Sequence, residues 1–326
     1  MRFDKVRDEK YISIDMKNSD DLNTKLQQIA DSEQALVLSF IAPDTIVRMN
    51  PASFDYATIS TQDLYNVEKV ISQLKDESRL PDKLHLVIQS PGGSLDVSTK
   101  IARYLQGAFK DIEVYVPFQA ASGGTMLCLT GNKLILSDCS NLTPIDPQLK
   151  YKGQWISATS YEQAIKDFED KFPKQRPEEI PSPYQQMCNS FDPVILQEMK
   201  KIVIDTIVVA AELLKVSRGG ESSPTKISVD DIYKIAFSLG KTEFPHSHIF
   251  TREDLNNIGL VICEDSGKIK TLKIYKEWVS SKLNNESTSH IVEYYCPTKT
   301  KILAKGENGR TRQSKSEPAR ARESKN

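Results

Sequence analysis

The sequence predicts an α/β fold with a parallel sheet at its centre, on three observations. The runs Leu84-His85-Leu86-Val87-Ile88-Gln89 and Ile112-Glu113-Val114-Tyr115-Val116-Pro117 have the length and β-branched composition of buried strands. A glycine corner follows each of them: Ser90-Pro91-Gly92-Gly93-Ser94 after the first, Ala121-Ser122-Gly123-Gly124-Thr125 after the second. Alternation of strand and helix then continues to Leu149. Strands that alternate with helices pair in parallel through right-handed crossovers, which brings both corners to one end of the sheet.

The elements divide the chain into five expected parts. Residues 1–60 read as an N-terminal α/β segment whose clearest strand is Ala35-Leu36-Val37-Leu38-Ser39-Phe40-Ile41. Residues 61–150 form the core, opening with an amphipathic helix from Thr61 to Glu77 that carries Leu64, Val67, Val70, Ile71 and Leu74 on one face. Residues 151–193 are richer in proline and charge, as in Phe172-Pro173-Lys174 and Ile180-Pro181-Ser182-Pro183, and read as an insertion or lid-like excursion. Residues 194–304 read as a C-terminal helical part. Its helix from Val194 to Val216 is apolar around much of its circumference and needs cover on more than one side, from another layer or another subunit. Ser228 with Asp231 and Thr251 with Asp254 have capping-box spacing and open two further helices. Residues 305–326 are nearly free of apolar side chains and rich in arginine and lysine, the composition of a disordered basic tail.

Composition places the chain among ordinary globular proteins: 326 residues, 39% hydrophobic, 27% charged, with a net charge of -1 that leaves no dominant nucleic-acid footprint. The start, Met1 to Lys10, is charged throughout, and no apolar run approaches the ~20 residues that span a bilayer, so the expectation is a cytoplasmic protein without a membrane span. Five cysteines, Cys128, Cys139, Cys188, Cys263 and Cys296, are widely spaced with no C-x-x-C pair, the pattern of reduced thiols. No Walker loop, HExxH or dinucleotide fingerprint is present, and neither a cofactor nor a metal is expected.

The two corners carry the chemistry. Ser122 precedes the apolar run Thr125-Met126-Leu127-Cys128-Leu129, which reads as a helix, so its hydroxyl lies where unpaired amides favour developing negative charge. Gly92, Gly93 and Gly123 carry no side chains to keep backbone N–H groups from an incoming carbonyl oxygen, the requirement for an oxyanion hole. A serine hydroxyl needs a base, and imidazole has the pKa suited to that task. Of the four histidines, His85 alternates with apolar neighbours in a strand and reads as structural, and His290 falls in a polar, peripheral C-terminal stretch. His246 and His248 remain as bases, in a loop that the Thr251 cap would also explain. A serine-lysine dyad would call on Lys133 or Lys100, both of which otherwise read as solubilising.

From Leu84 to Leu149 the chain resembles the Clp protease and crotonase superfamily, and most closely the serine dehydrogenase proteinase family. The resemblance rests on SPGGS at Ser90 to Ser94, on ASGGTM at Ala121 to Met126, and on Leu142-Thr143-Pro144-Ile145-Asp146-Pro147-Gln148. It implies a Clp/crotonase-like spiral of ββα units with added C-terminal helices, and a serine endopeptidase acting through a Ser122 acyl-enzyme. The family's histidine lies far downstream, before a short helix that ends in Gly-Leu. Counting back from Gly259 puts His246 in that place, with His248 as the substitute, although Ser247 and Ile249 stand where the family has aspartate and proline. Asp146 matches the family's proline-flanked aspartate and becomes the orienter of the imidazole, while it reads equally as a turn residue bonded to its own backbone. Peptide or protein substrates, a homo-oligomer and a separate unfoldase or regulatory partner complete the expectation. A crotonase-like acyl-CoA enzyme and a non-catalytic assembly module are the rival readings.

Overall fold

The computed structural model describes residues 18–42, 58–151, 153–173, 175–220, 226–241, 244–283 and 290–298. The charged start at 1–10 and the basic tail at 305–326 lie outside the described residues.

Helix α1 (Asn18–Glu33) leads into strand β1 (Ala35–Ile41), and α2 (Thr61–Asp76) into β2 (Lys83–Gln89). Helix α3 (Leu95–Ala108) precedes β3 (Asp111–Val116), the two-residue β4 (Gln119–Ala120), the short α4 (Gly123–Cys128), β5 (Lys133–Leu136) and β6 (Asn141–Leu142). The expected core elements thus form within one or two residues of their sequence bounds. The principal sheet has the order β5-β3-β2-β1 with all neighbours parallel, and β9 (Tyr294–Tyr295) adds an antiparallel edge beside β1.

Side chains of these strands alternate between two apolar layers. Leu36, Leu38, Phe40, Leu84, Leu86, Ile88, Val114 and Leu134 join the core beneath α2, α3 and the later helices. Val37, Ile41, Val87, Tyr115 and Ile135 face the opposite way, into a cluster with Leu26, Leu272 and Trp278. Period-two alternation with both faces apolar is why the strands read as continuous hydrophobic runs. Each fully buried aliphatic side chain stabilises such a core by roughly 1.5–3 kcal/mol.

The 151–193 excursion has structure of its own: a hairpin of β7 (Gln148–Tyr151) and β8 (Gln154–Ser157), then α5 (Ala158–Lys171) and α6 (Ser182–Ser190). Ala158 and Tyr161 pack with Met199 and Val203 of α7 (Pro193–Arg218) in a separate apolar cluster. Helix α7 is therefore covered twice, at its first half by this cluster and at its second half by the main core through Ala210, Leu213 and Leu214. Helices α8 (Val229–Gly240), α9 (Arg252–Asn257) and α10 (Ser266–Lys282) follow, with Ser228 capping α8 and a capping box of Thr251 and Asp254 opening α9.

At the C-terminal ends of β2, β3 and β5 the chain takes a second, shorter extended step. Ser90 bridges Ala120, β4 pairs with β6 in parallel, and Leu142 bridges Phe250 in the antiparallel sense. Long strand, short strand and helix or loop thereby repeat, and the short strands stack into a ridge across one end of the sheet.

Candidate active site

That ridge collects the residues singled out from the sequence. Ser122 lies two residues past Ala120 at the N-terminus of α4, and its side chain does not cap the helix. Its backbone is forced into φ 44°, ψ -109°, a region that disfavours residues with a Cβ. The surroundings fix this geometry. The Ser122 amide donates to Thr143 Oγ1 at 2.9 Å, and the Gly124 amide donates to the Ala121 carbonyl at 2.7 Å. Thr125 Oγ1 accepts from the Thr143 amide at 3.2 Å and lies 2.8 Å from the Ala120 carbonyl. Thr143 and Thr125 are thus positioning residues that the corner motif alone did not single out.

The SPGG corner packs directly on the serine. Gly92 has φ +101° and Gly93 φ +149°, and a Cβ on Gly92 would come within 2.9 Å of the Ser122 Cβ. A Cβ on Gly93 would overlap the backbone of Ile59. Only glycine satisfies both the φ values and the contact distances. Of the three glycines expected to form the oxyanion hole, Gly92 differs in its bonding: its amide is engaged by Ser90 Oγ at 3.1 Å. Gly93 and Gly123 amides donate to no acceptor among the described residues, and the two glycines lie side by side.

His246 and Asp146 meet across 100 residues of chain. His246 Nδ1 lies 2.7 Å from Asp146 Oδ1, with the carboxylate 1% exposed and the imidazole 27% exposed. The second carboxylate oxygen accepts from Ser157 Oγ at 2.6 Å. Asp146 therefore directs both oxygens at side chains and does not act as a self-bonded turn residue. Two backbone stitches bring the pair to the ridge: Phe250 exchanges hydrogen bonds with Leu142 at 2.9 and 3.2 Å, and the Ile145 amide donates to the Leu239 carbonyl at 2.9 Å. Among the described residues no hydrogen bond joins Ser122 to His246.

The alternative bases are otherwise engaged. His248 stacks on Phe244 with centroids 4.0 Å apart and meets Phe250 edge-on. Lys100 pairs with Asp96 at 2.7 Å on the exposed face of α3. Lys133 does more than solubilise: it lies at the start of β5, at the opposite end of the sheet from Ser122, and pairs with the buried Glu113 at 2.9 Å. His85 is structural as expected, buried with Nδ1 2.8 Å from the Tyr275 hydroxyl and Nε2 3.1 Å from Glu113.

His290 departs from its expected peripheral place. It is buried, with Nε2 2.9 Å from Ser90 Oγ and Nδ1 3.4 Å from Asp63 Oδ1. Its polar sequence neighbours concealed this, because the contacts that bury it come from β1, β2 and α2.

Residues 26–173 match the family described as ClpP-like SDH-type serine proteinases, a span that includes Ser122, both glycine corners and Asp146 but ends before His246. Two uncharacterized proteins of Methanocaldococcus jannaschii are similar over shorter stretches. One is 39% identical over 66 residues, 20% of this chain and 23% of that protein; the other is 32% identical over 79 residues, 24% and 26% of the two chains. The chain thus spans about a quarter of the length of these curated relatives. Among solved structures, the 1510-N membrane-bound stomatin-specific protease as a serine-to-alanine mutant aligns at 14% identity and TM-score 0.39, covering 66% of this chain and 79% of that one. A lysine-to-alanine mutant of the same protease with a substrate peptide aligns at 15% identity and TM-score 0.39, covering 66% and 74%.

Proposed function

With residues 26–173 those of a ClpP-like SDH-type serine proteinase, we propose that the chain hydrolyses peptide bonds through a Ser122 acyl-enzyme, with His246 as general base and Asp146 as its orienter. The observation that carries this reading is the Asp146–His246 pair, which stands on the same ridge as a serine held at positive φ. Asp146 keeps the imidazole proton on Nδ1, so Nε2 is the basic nitrogen that accepts the Ser122 proton and later returns it to the leaving amine. The carbonyl oxygen that becomes negative is received by the amides of Gly93 and Gly123; Gly92 shapes the corner and is not a donor. Water then releases the acyl group.

Substrates are peptides or proteins. An extended substrate does not pair with Gly93 on the side where Ile59 already bridges it, which leaves the outer side of the ridge for docking. Self-association belongs to the same proposal. Helix α8 exposes Val229, Tyr233 and Phe237 at four-residue intervals, and α7 exposes Ile204 and Val208, an apolar surface of the kind that subunits cover. Light scattering on the purified protein reads the subunit number, and a monomer at all concentrations contradicts this part.

The reaction is tested with a fluorophosphonate probe mapped by peptide mass. Labelling confined to Ser122, abolished in Ser122→Ala and strongly slowed in His246→Ala, is the expected result. The altered sequence around His246, with Ser247 and Ile249, and the lack of a Ser122–His246 hydrogen bond among the described residues favour a non-catalytic scaffold, and absence of labelling in a folded, assembled sample would decide for it.

A further inference from the structure

A second aspartate, histidine and serine lie behind the SPGG corner. Ser90, His290 and Asp63 are each 0–4% exposed, so no substrate carbonyl reaches the Ser90 hydroxyl and the group is not a second nucleophilic centre. Its hydrogen bonds nevertheless run in one direction. Ser90 Oγ accepts the Gly92 N–H at 3.1 Å, and the acceptor its own proton meets is His290 Nε2 at 2.9 Å. The imidazole proton is then on Nδ1, which faces Asp63 Oδ1 at 3.4 Å. Both of these atoms are buried and make no hydrogen bond; their 3.4 Å approach is an electrostatic contact, and each is the nearest polar counterpart the other has. The opposite tautomer would set a bare nitrogen lone pair against a carboxylate oxygen.

Asp63 is itself immobilised. Its Oδ2 accepts from the Ser60 amide at 2.7 Å and the Ser60 hydroxyl at 3.1 Å, closing the capping box at the start of α2. One residue earlier, the Ile59 amide donates to the Gly92 carbonyl at 2.8 Å and the Ile59 carbonyl accepts from Ser94 at 3.0 Å. The Gly92–Gly93 corner is thus gripped on one side by Ile59 and on the other by Ser90. Two consecutive glycines at positive φ have little conformational preference of their own, so their geometry must be imposed from outside.

We propose that Asp63, His290 and Ser90 form a buried positioning relay that holds the Gly92–Gly93 corner so that the Gly93 amide points at the developing oxyanion. The role rests on the serine-peptidase reading above, and none of the three residues touches substrate. Loss of the relay leaves binding of substrate in place and misdirects one oxyanion donor.

The test uses the full-length protein with His290→Leu, His290→Gln and Ser90→Ala. His290→Leu and Ser90→Ala are expected to slow fluorophosphonate acylation of Ser122 and peptide kcat by about 10- to 100-fold, somewhat less than complete loss of one oxyanion donor, with KM unchanged. His290→Gln presents an amide oxygen where Nε2 was and recovers most of the rate. Hydrogen–deuterium exchange over residues 88–97 reads the corner without any reaction: it rises in His290→Leu and Ser90→Ala and stays near wild type in His290→Gln. Should His290→Leu fail to fold, Ser90→Ala, which removes a single oxygen, carries the test. Wild-type acylation and wild-type exchange in both disabling variants overturn the relay while leaving the peptidase reading intact. Absence of Ser122 labelling in the wild-type protein overturns the peptidase reading, and the exchange arm still decides whether the relay holds the corner.

Discussion

His246 and His290 each stand between an aspartate and a serine-bearing corner, and they differ in what surrounds the ring. The His246 imidazole is 27% exposed, its aspartate is buried at 2.7 Å, and its serine partner is left open. The His290 imidazole is fully buried, its serine is bonded at 2.9 Å, and its aspartate is the long contact at 3.4 Å. In the first group the tight bond fixes the ring and, on the proposed reading, the loose side meets substrate. In the second the tight bond fixes a backbone corner and nothing meets substrate. On the proposed readings, the same three residue types therefore serve catalysis or positioning according to which of the two contacts is the loose one. This contrast can be broken by substitutions that treat the two groups alike.

The largest effect is expected at the open end. Ser122→Ala and His246→Ala should each reduce peptide kcat by about 10⁴- to 10⁶-fold, and combining them should cost little more, because groups that act as one unit are strongly non-additive. Steady-state kinetics of the single and double variants checks this. Near-additive losses would mean that His246 does not serve Ser122. Asp146→Asn comes next, with a fall of about 10³- to 10⁴-fold in kcat and little change in KM, because the imidazole loses the partner that fixes its tautomer. Ser157→Ala removes the second bond to Asp146, together with the Ser157 Oγ contacts to Thr159 Oγ1 and the Ser160 amide at the start of α5. A fall in kcat of about 3- to 10-fold is expected from the loss of one hydrogen bond to a charged group that remains otherwise placed. A drop as deep as that of Asp146→Asn would show that Ser157, not Asp146, sets the ring.

How much of this was legible in the sequence follows from what kind of contact each residue makes. Strands β2 and β3 and their corners follow from local composition, and Ser122 with its three glycines follows from the corners. His246 and Asp146 came through their place in a family pattern, since a pair joined over 100 residues leaves no local trace. Ser157 lies in the segment read as an insertion, and nothing in Ile156-Ser157-Ala158 announces a bond to the Asp146 carboxylate. His290 was misplaced because polar neighbours signal a surface, whereas its burial is produced by Phe40, Ser90 and Asp63 from three distant elements. The Gly92 amide looked equivalent to that of Gly93 until Ser90 Oγ was seen to engage it.

A third histidine sharpens the comparison from the opposite end of the sheet, where activity should change least. His85 contacts Glu113, which also receives Lys133 at 2.9 Å, Lys268 at 2.9 Å and the Tyr115 hydroxyl at 2.8 Å. Burial alone would push the Glu113 carboxyl up, but the approach of His85 and the hydrogen bonds from Lys133 and Lys268 outweigh it and hold the group well below its ordinary value of 4.5. Burial also pushes His85 down, against the pull of Glu113, which keeps the ring neutral. With the Glu113 pKa depressed in the folded chain, the unfolded chain binds the more protons in acid. The Glu113 contribution is then complete above about pH 4.5 and is lost progressively as pH falls below it. Glu113→Gln should lower stability at pH 7 by on the order of 2 kcal/mol, the scale of hydrogen bonds to a charged group, with kcat unchanged. Urea unfolding of both proteins as a function of pH provides the check. The two stability curves should be separate at neutral pH and converge below pH 4.5; curves that stay parallel throughout would show that the Glu113 charge is not what these lysines hold in place.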